Sequence, residues 1–390
     1  MGQDSQTGIM HVRRTFIKID ENIRMMKIAI LHDYIGAIGG GEKLVLSLAR
    51  GLGADVITTD VDEDAINKMG FEDVTIISLG RTIKIPQLKQ ISASLRFALC
   101  DFSKEYDFFI FSGNWAHFAA RRHKPNLYYC HTPVRAFYDL YDVFLERQLF
   151  FNSILFQFWV KLYRRLYEYY MTKVCRIVAN SISTQKRIKK YLNRTSKVIY
   201  PPIDVSRFRF EYYGDFWLSV NRLYPEKRVE LQIEAFRQLS EERLLIVGGY
   251  AEADHASAYA TSLQKNLPDN VKLLGTVREE ELIQLYARCK GFIITSIDED
   301  FGMAPVEAMA SGKPVVCMKE GGCLETIVDG STGLLVTPAV SEIVNAINIV
   351  SRAPFKYKEK CIEQSRKFDL DIFLNEITKE IEAAMPVAKI

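Results

Sequence analysis

Residues 291–311 read GFIITSIDEDFGMAPVEAMAS, and this stretch decides the fold class. Gly291–Thr295 suits a buried strand, and Pro305–Ser311 suits a helix. The turn between them carries Glu299, Asp300 and Gly302. A strand that yields to a helix over so short a turn is half of a parallel-sheet crossover.

The same alternation extends outward in both directions. Downstream, strands are predicted over Pro314–Met318 and Gly333–Val336. Upstream come strand Trp217–Asn221, helix Val229–Leu239, strands Leu244–Val247 and Val271–Leu274, and helix Glu279–Arg288. At Tyr200-Pro201-Pro202-Ile203-Asp204 the pattern stops, because consecutive prolines hold the backbone extended. Before that linker it recurs. Strands are predicted at Lys27–Leu31, Asp55–Thr59, Val74–Leu79, Phe108–Ser112, Leu127–Cys130 and Ile177–Asn180, with a helix over Glu42–Leu52. The expectation is an α/β protein of two parallel-sheet domains, 26–202 and 203–390, facing a cleft. Residues 1–25 read as a loose extension, and the last helix is expected to pack back on the N-terminal domain.

Composition narrows the function. The 390 residues carry a net charge of only +3, which gives no reason to expect nucleic-acid binding. Seven scattered cysteines without a C-x-x-C pair argue against a disulfide framework and a zinc site, and favour a reducing cytoplasm. No signal peptide is evident, and the apolar run Gln148–Val160 is too short to span a bilayer.

The chemistry concentrates at predicted strand ends. Glu299 and Glu307, with seven residues between them around a strand-to-helix turn, can accept from sugar hydroxyls. The helix-start amides near them can hold an anion. Carboxylates at helix starts also serve as ordinary caps. Asn221-Arg222-Leu223-Tyr224-Pro225-Glu226-Lys227 places two cations just past a strand, which suits a diphosphate but also fits a solvated loop. Gly39-Gly40-Gly41 permits close approach to phosphate from the other domain, or is a bare turn. It is neither a P-loop nor a dinucleotide fingerprint. His131 ends a strand before Thr132-Pro133, and Gly321-Gly322-Cys323-Leu324-Glu325 adds a further turn.

These pieces together resemble the retaining glycosyltransferases of family GT4, with the GT-B fold of two Rossmann-like domains. The resemblance runs from Met26 onward through G-G-G-E-K at 39–43, H-T-P at 131–133, N-R-L-x-P-E-K at 221–227, E-D-F-G-M-A-P-V-E at 299–307 and G-G-x-x-E at 321–325. It implies that Arg222 and Lys227 hold the donor diphosphate, and that Glu299 binds the transferred sugar with the backbone of Phe301, Gly302, Met303 and Ala304. Glu307 would hold the ribose, Gly40 and Gly41 would face the phosphates, and His131 would lie against the sugar ring. Val277 and Glu279 fall where the base is read, and Glu325 matches a family acid of less defined role. The stretch H-T-P-V-R-A-F-Y-D points within the family to mannosyltransferases using GDP-mannose on lipid-linked or polysaccharide acceptors. No cofactor and no metal are expected. A UDP-sugar donor, a nucleotide-sugar epimerase, a nicotinamide dehydrogenase and a non-catalytic nucleotide-sugar binding protein are the competing readings.

A membrane surface is the other expected partner. Arg81, Lys84, Lys89 and Arg96 lie in the acid-free stretch Val74–Cys100, and 148–176 mixes bases with aromatics. Both could rest on the anionic cytoplasmic face of a membrane, or simply be solvated bases on packed helices.

Overall fold

The computed structural model describes residues 23, 25–36, 39–146, 150–249, 256–265 and 267–385. The first sheet holds β1 (Ile28–His32), β2 (Asp55–Thr58), β3 (Ile76–Ser78), β4 (Phe108–Ser112), β5 (Asn126–Cys130), β6 (Arg176–Ala179) and β7 (Lys197–Val198). Its order is β3-β2-β1-β4-β5-β6-β7, and every pairing is parallel. The second sheet holds β8 (Phe216–Val220), β9 (Arg243–Val247), β10 (Val271–Gly275), β11 (Gly291–Ile294), β12 (Val315–Met318) and β13 (Gly333–Val336), ordered β10-β9-β8-β11-β12-β13. Strand order reverses between β1 and β4 in one sheet and between β8 and β11 in the other. Such switch points open the crevice where α/β sheets take ligands.

Six helices matter for the site: α1 (Gly40–Leu52), α2 (Pro86–Leu99), α3 (Phe150–Met171), α4 (Ile182–Leu192), α5 (Met303–Ala310) and α6 (Leu370–Ala384). The strands read as unbroken apolar runs because both sheet faces are covered. Alternate side chains of β1 enter opposite cores: Ile28 and Ile30 one, Ala29 and Leu31 the other. The first of these cores includes Leu44 and Leu48 of α1 together with Phe373, Leu374, Ile377 and Ile381 of α6. The chain therefore crosses from the second domain back to the first. Arg176–Glu380 and Lys197–Glu376 pairs fasten α6 at that edge.

The two crossings are tied together. Ile203 donates to Phe368 O at 2.8 Å and accepts from Leu370 at 3.1 Å. Tyr200 stacks on Phe301 at 5.5 Å, so this junction touches the turn that bears Glu299.

Two expectations need amendment. Ile23, assigned to a loose extension, is buried in the first core; of the rest of 1–25 only Met25 is among the described residues. Cys317 and Cys323 form a disulfide across a six-residue separation, where free cysteines were expected. In the basic cluster of 81–96, Arg81 and Lys84 are exposed, while the other two cations are engaged. Arg96 donates to the Leu79 and Arg81 carbonyls, and Lys89 lies 4.0 Å from the centre of the Tyr34 ring. Phe150 and Phe151 have side chains outside the described residues. Among the described residues no helix is long and apolar enough to cross a membrane.

Candidate active site

Every turn singled out from the sequence follows the carboxyl end of a strand. After β8, Asn221–Lys227 runs into a 3-10 turn, Pro225–Lys227. Behind it, the Thr295 hydroxyl donates to the Lys227 and Arg228 carbonyls, which anchors the turn to the end of β11. After β11, Gly302 adopts φ +85°, a left-handed conformation that lets the chain turn sharply into α5. The first amides of α5 lack carbonyl partners within the helix and are free to meet a ligand. Gly321, at φ +58°, passes so close that a Cβ there would lie 2.5 Å from Glu299 O, and Gly322 donates to that same oxygen.

Lys227 Nζ meets Glu299 Oε2 at 2.6 Å. Burial opposes ionisation of Glu299, but Lys227, Ser296 and Arg135 outweigh it and hold the carboxyl below its usual value. Glu299 is therefore an acceptor-only carboxylate. Arg222 keeps half of its side chain exposed, its guanidinium 3.6 Å from Glu42 of α1. Glu307 accepts from the Tyr286 hydroxyl at 2.7 Å. Burial raises its carboxyl, and Lys43 and Tyr286 partly offset that. Phe301 and Ala304 pack into the second-domain core, so what they offer a ligand is backbone.

The first domain supplies the opposite wall. A Cβ at Gly40 would lie 2.8 Å from Met303 Sδ, and one at Gly39 would collide with Arg222 and Glu42. A larger residue at either position would push these side chains aside. Gly41 faces His131, whose Nε2 lies 2.8 Å from Ser112 Oγ. Enclosure lowers the His131 imidazole to about 3, with His32 beside it adding to the effect. His131 thus stands neutral, able to donate or accept a hydrogen bond but not to carry charge.

Glu279 opens the helix Glu279–Arg288 and pairs with Lys43 of α1 at 2.6 Å and Arg207 at 3.5 Å. Val277 packs against the second-domain core nearby. Glu325 reaches across to the first domain, where Ile182 and Ser183 at the start of α4 donate to it at 2.7 and 3.0 Å. The structure therefore brings His131, Arg222, Lys227, Glu299 and Glu307 around the cleft and places Glu325 on an interdomain contact.

Sequence reasoning missed Arg187. Its guanidinium projects from α4, almost fully buried, and bonds Asp298 and Asp300 on either side of Glu299. Thr132, next to His131, also accepts from it at 3.2 Å. Arg135 adds pairs to Asp139 at 2.7 Å and Asp298 at 3.5 Å. In the sequence Arg187 sits among Lys186, Lys189 and Lys190 and looks like part of a solvated basic face.

The geometry has counterparts among known proteins. Residues 213–368 match the model for glycosyl transferases group 1, and residues 38–207 match that for glycosyltransferase family 4. The chain is 26% identical to the alpha-1,3/1,6-mannosyltransferase ALG2 of Dictyostelium discoideum, over 91% of this chain and 98% of that protein. It is 28% identical to the Candida glabrata protein of the same name, over 78% of each. Among solved structures it resembles Anabaena Alr3699/HepE in complex with UDP and glucose, with a TM-score of 0.74 and 22% identity, covering 92% of this chain and all of that one.

Proposed function

The chain belongs to the family 4 glycosyltransferases, and from that premise we propose that it moves mannose from GDP-mannose onto a lipid-linked glycan. The observation that carries this reading is the end-to-end likeness to mannosyltransferases, joined to a site with the right charges. Arg222 and Lys227 would bind the diphosphate, Glu299 the mannose hydroxyls, and Glu307 the ribose hydroxyls. Glu279 and Val277 would border the base.

In this reading the acceptor hydroxyl oxygen bonds to the anomeric carbon on the face that the diphosphate leaves. The bond to the diphosphate oxygen breaks with its electron pair, and the acceptor proton passes to that oxygen. Negative charge builds on phosphate, so cations aimed at it do the work of an acid. Arg222 and Lys227 suit that role without a metal ion. Neutral His131 can hydrogen-bond the sugar without competing for the charge. Because the glycan is lipid-linked, the first domain would rest on a membrane face bordering the cytoplasm.

Thermal melting with GDP, UDP, ADP and their sugar conjugates tests the donor. A ligand at about 100 times its Kd stabilises the native state by about 2.7 kcal/mol. GDP and GDP-mannose are expected to give the largest shift, lost in Glu307→Ala. A larger shift with UDP-sugars would replace the donor while keeping the reaction class. Transfer to a polyprenyl-diphosphate glycan that persists in a chelator supports metal independence; transfer abolished by the chelator and restored by a divalent ion overturns it.

A further inference from the structure

An open groove of about 1020 Å³ lies in the first domain, bounded by α3, α4 and the segment 137–141. It rests on no residue of the donor site. Its lining includes Asp139, which shares Arg135 with Asp298, the neighbour of Glu299. Along its wall stand Lys161, Arg164, Arg165 and Lys190, set against Asp139 and Glu168 alone. Arg164 is engaged by Glu168 at 2.9 Å, and Lys190 lies over the Tyr191 ring. Lys161 and Arg165 are exposed and pair with no carboxylate among the described residues.

A second stripe runs along α3 beside these cations. Ile154, Leu155, Phe158 and Leu162 are all exposed, Leu155 and Phe158 by more than two thirds, and Phe158 also lines the groove. The buried side of the same helix holds Phe156, Trp159, Val160 and Tyr163, so core packing does not require the outer apolar residues. Along α3 from Glu168 back to Leu155 the order is an ion pair, then the cations Arg165 and Lys161, then the exposed apolar residues Phe158 and Leu155. A glycan joined through a diphosphate to a hydrocarbon chain has the same order of chemistry.

We infer that this groove binds the diphosphate of the acceptor, with Lys161 and Arg165 on the phosphates and Phe158, Leu155 and Leu162 against the first isoprene units. The inference rests on the proposed lipid-linked acceptor and gives it a location. Cations in a groove bordered by apolar surface favour a localised double negative charge over a dispersed anionic surface.

The test is flotation of the full chain with neutral phosphatidylcholine vesicles carrying polyprenyl diphosphate. Comparison vesicles carry polyprenol, or phosphatidylserine at matched surface charge. The expected result is at least about tenfold more bound protein on diphosphate vesicles than on either comparison. K161E/R165E should lose that excess, while the control K68E/K272E, with the same change in net charge on two exposed lysines, keeps it. Melting curves with GDP, run on both variants, show that each remains folded with its donor site intact. Equal binding to phosphatidylserine vesicles overturns the inference in favour of general membrane docking. Retention of the excess by K161E/R165E overturns it as well. Failure of GDP to shift the parent protein would instead sink the donor reading and leave the flotation result to stand on its own.

Discussion

The carboxylate of Glu325, in the second domain, caps α4 of the first by accepting from Ile182 at 2.7 Å and Ser183 at 3.0 Å. A charged side chain at the positive end of a helix is a favourable contact, and here it also joins the two halves of the cleft. Glu325 thereby has a structural role at the domain contact.

Glu325→Ala should consequently impair closure more than nucleotide binding. Loss of a cap costs about 1–2 kcal/mol, which corresponds to roughly a 5- to 30-fold fall in kcat/KM for transfer. The melting shift with GDP should remain within about twofold in apparent affinity. Steady-state kinetics beside nucleotide melting curves make the comparison. A collapse of GDP binding would instead place Glu325 at the donor.

Lys227 and Glu299 form the second relation worth testing, because the Lys227 ammonium helps hold the Glu299 carboxyl in its charged form. Lys227→Ala should lower kcat by about 100- to 1000-fold, the range for losing a charge aimed at a developing anion. Glu299→Ala should also be severe. The double variant should be little worse than the poorer single one, since groups acting as a unit are not additive. Independent losses multiplying in full would show that the pair is not coupled in the reaction.

Arg187 invites a sharper substitution. Its guanidinium reaches Asp298 and Asp300 at once, a fork that the single ammonium of lysine cannot reproduce. As a positioning residue for the turn bearing Glu299, it should show its effect in kcat. Arg187→Lys is expected to lose about tenfold or more in kcat with donor KM nearly unchanged. Full activity in Arg187→Lys would mean that one charge suffices there and that the fork is incidental.

These residues also mark how far the sequence could be read. The turn 295–302 was legible because a buried strand, a glycine and a helix lie in one short span, and local order follows from local pattern. The glycines at 39–41 were legible as a turn, but their closeness to Arg222 and Met303 belongs to the packing of two distant segments. Arg187 was hidden, since burial of one cation on a basic helix depends on a carboxylate pair 111 and 113 residues away. The Glu325 contact was hidden more deeply, because its partners are backbone amides, which leave no trace in residue type. Cys317 and Cys323 come together because the chain folds back after β12, which spacing alone does not announce.

Histidine burial sets the expected response to acid. His117 is fully buried, with Phe118, Tyr128 and Tyr167 around it, and burial lowers its imidazole from 6.5 to about 3. His32, also enclosed, is lowered to about 4. In the unfolded chain these rings take up protons near pH 6.5, whereas the native state binds them only at much lower pH. The unfolded state therefore binds more protons throughout the interval, and native stability falls as pH drops from about 6.5 toward 3. Each such histidine contributes a slope of about 1.4 kcal/mol per pH unit. His117→Phe keeps an aromatic ring in an aromatic pocket and removes the proton site, so it should flatten the acid limb by about that amount. Urea unfolding of both proteins at intervals between about pH 4 and 7 measures it. Parallel acid limbs would mean that His117 is already protonated, or already neutral, in both states.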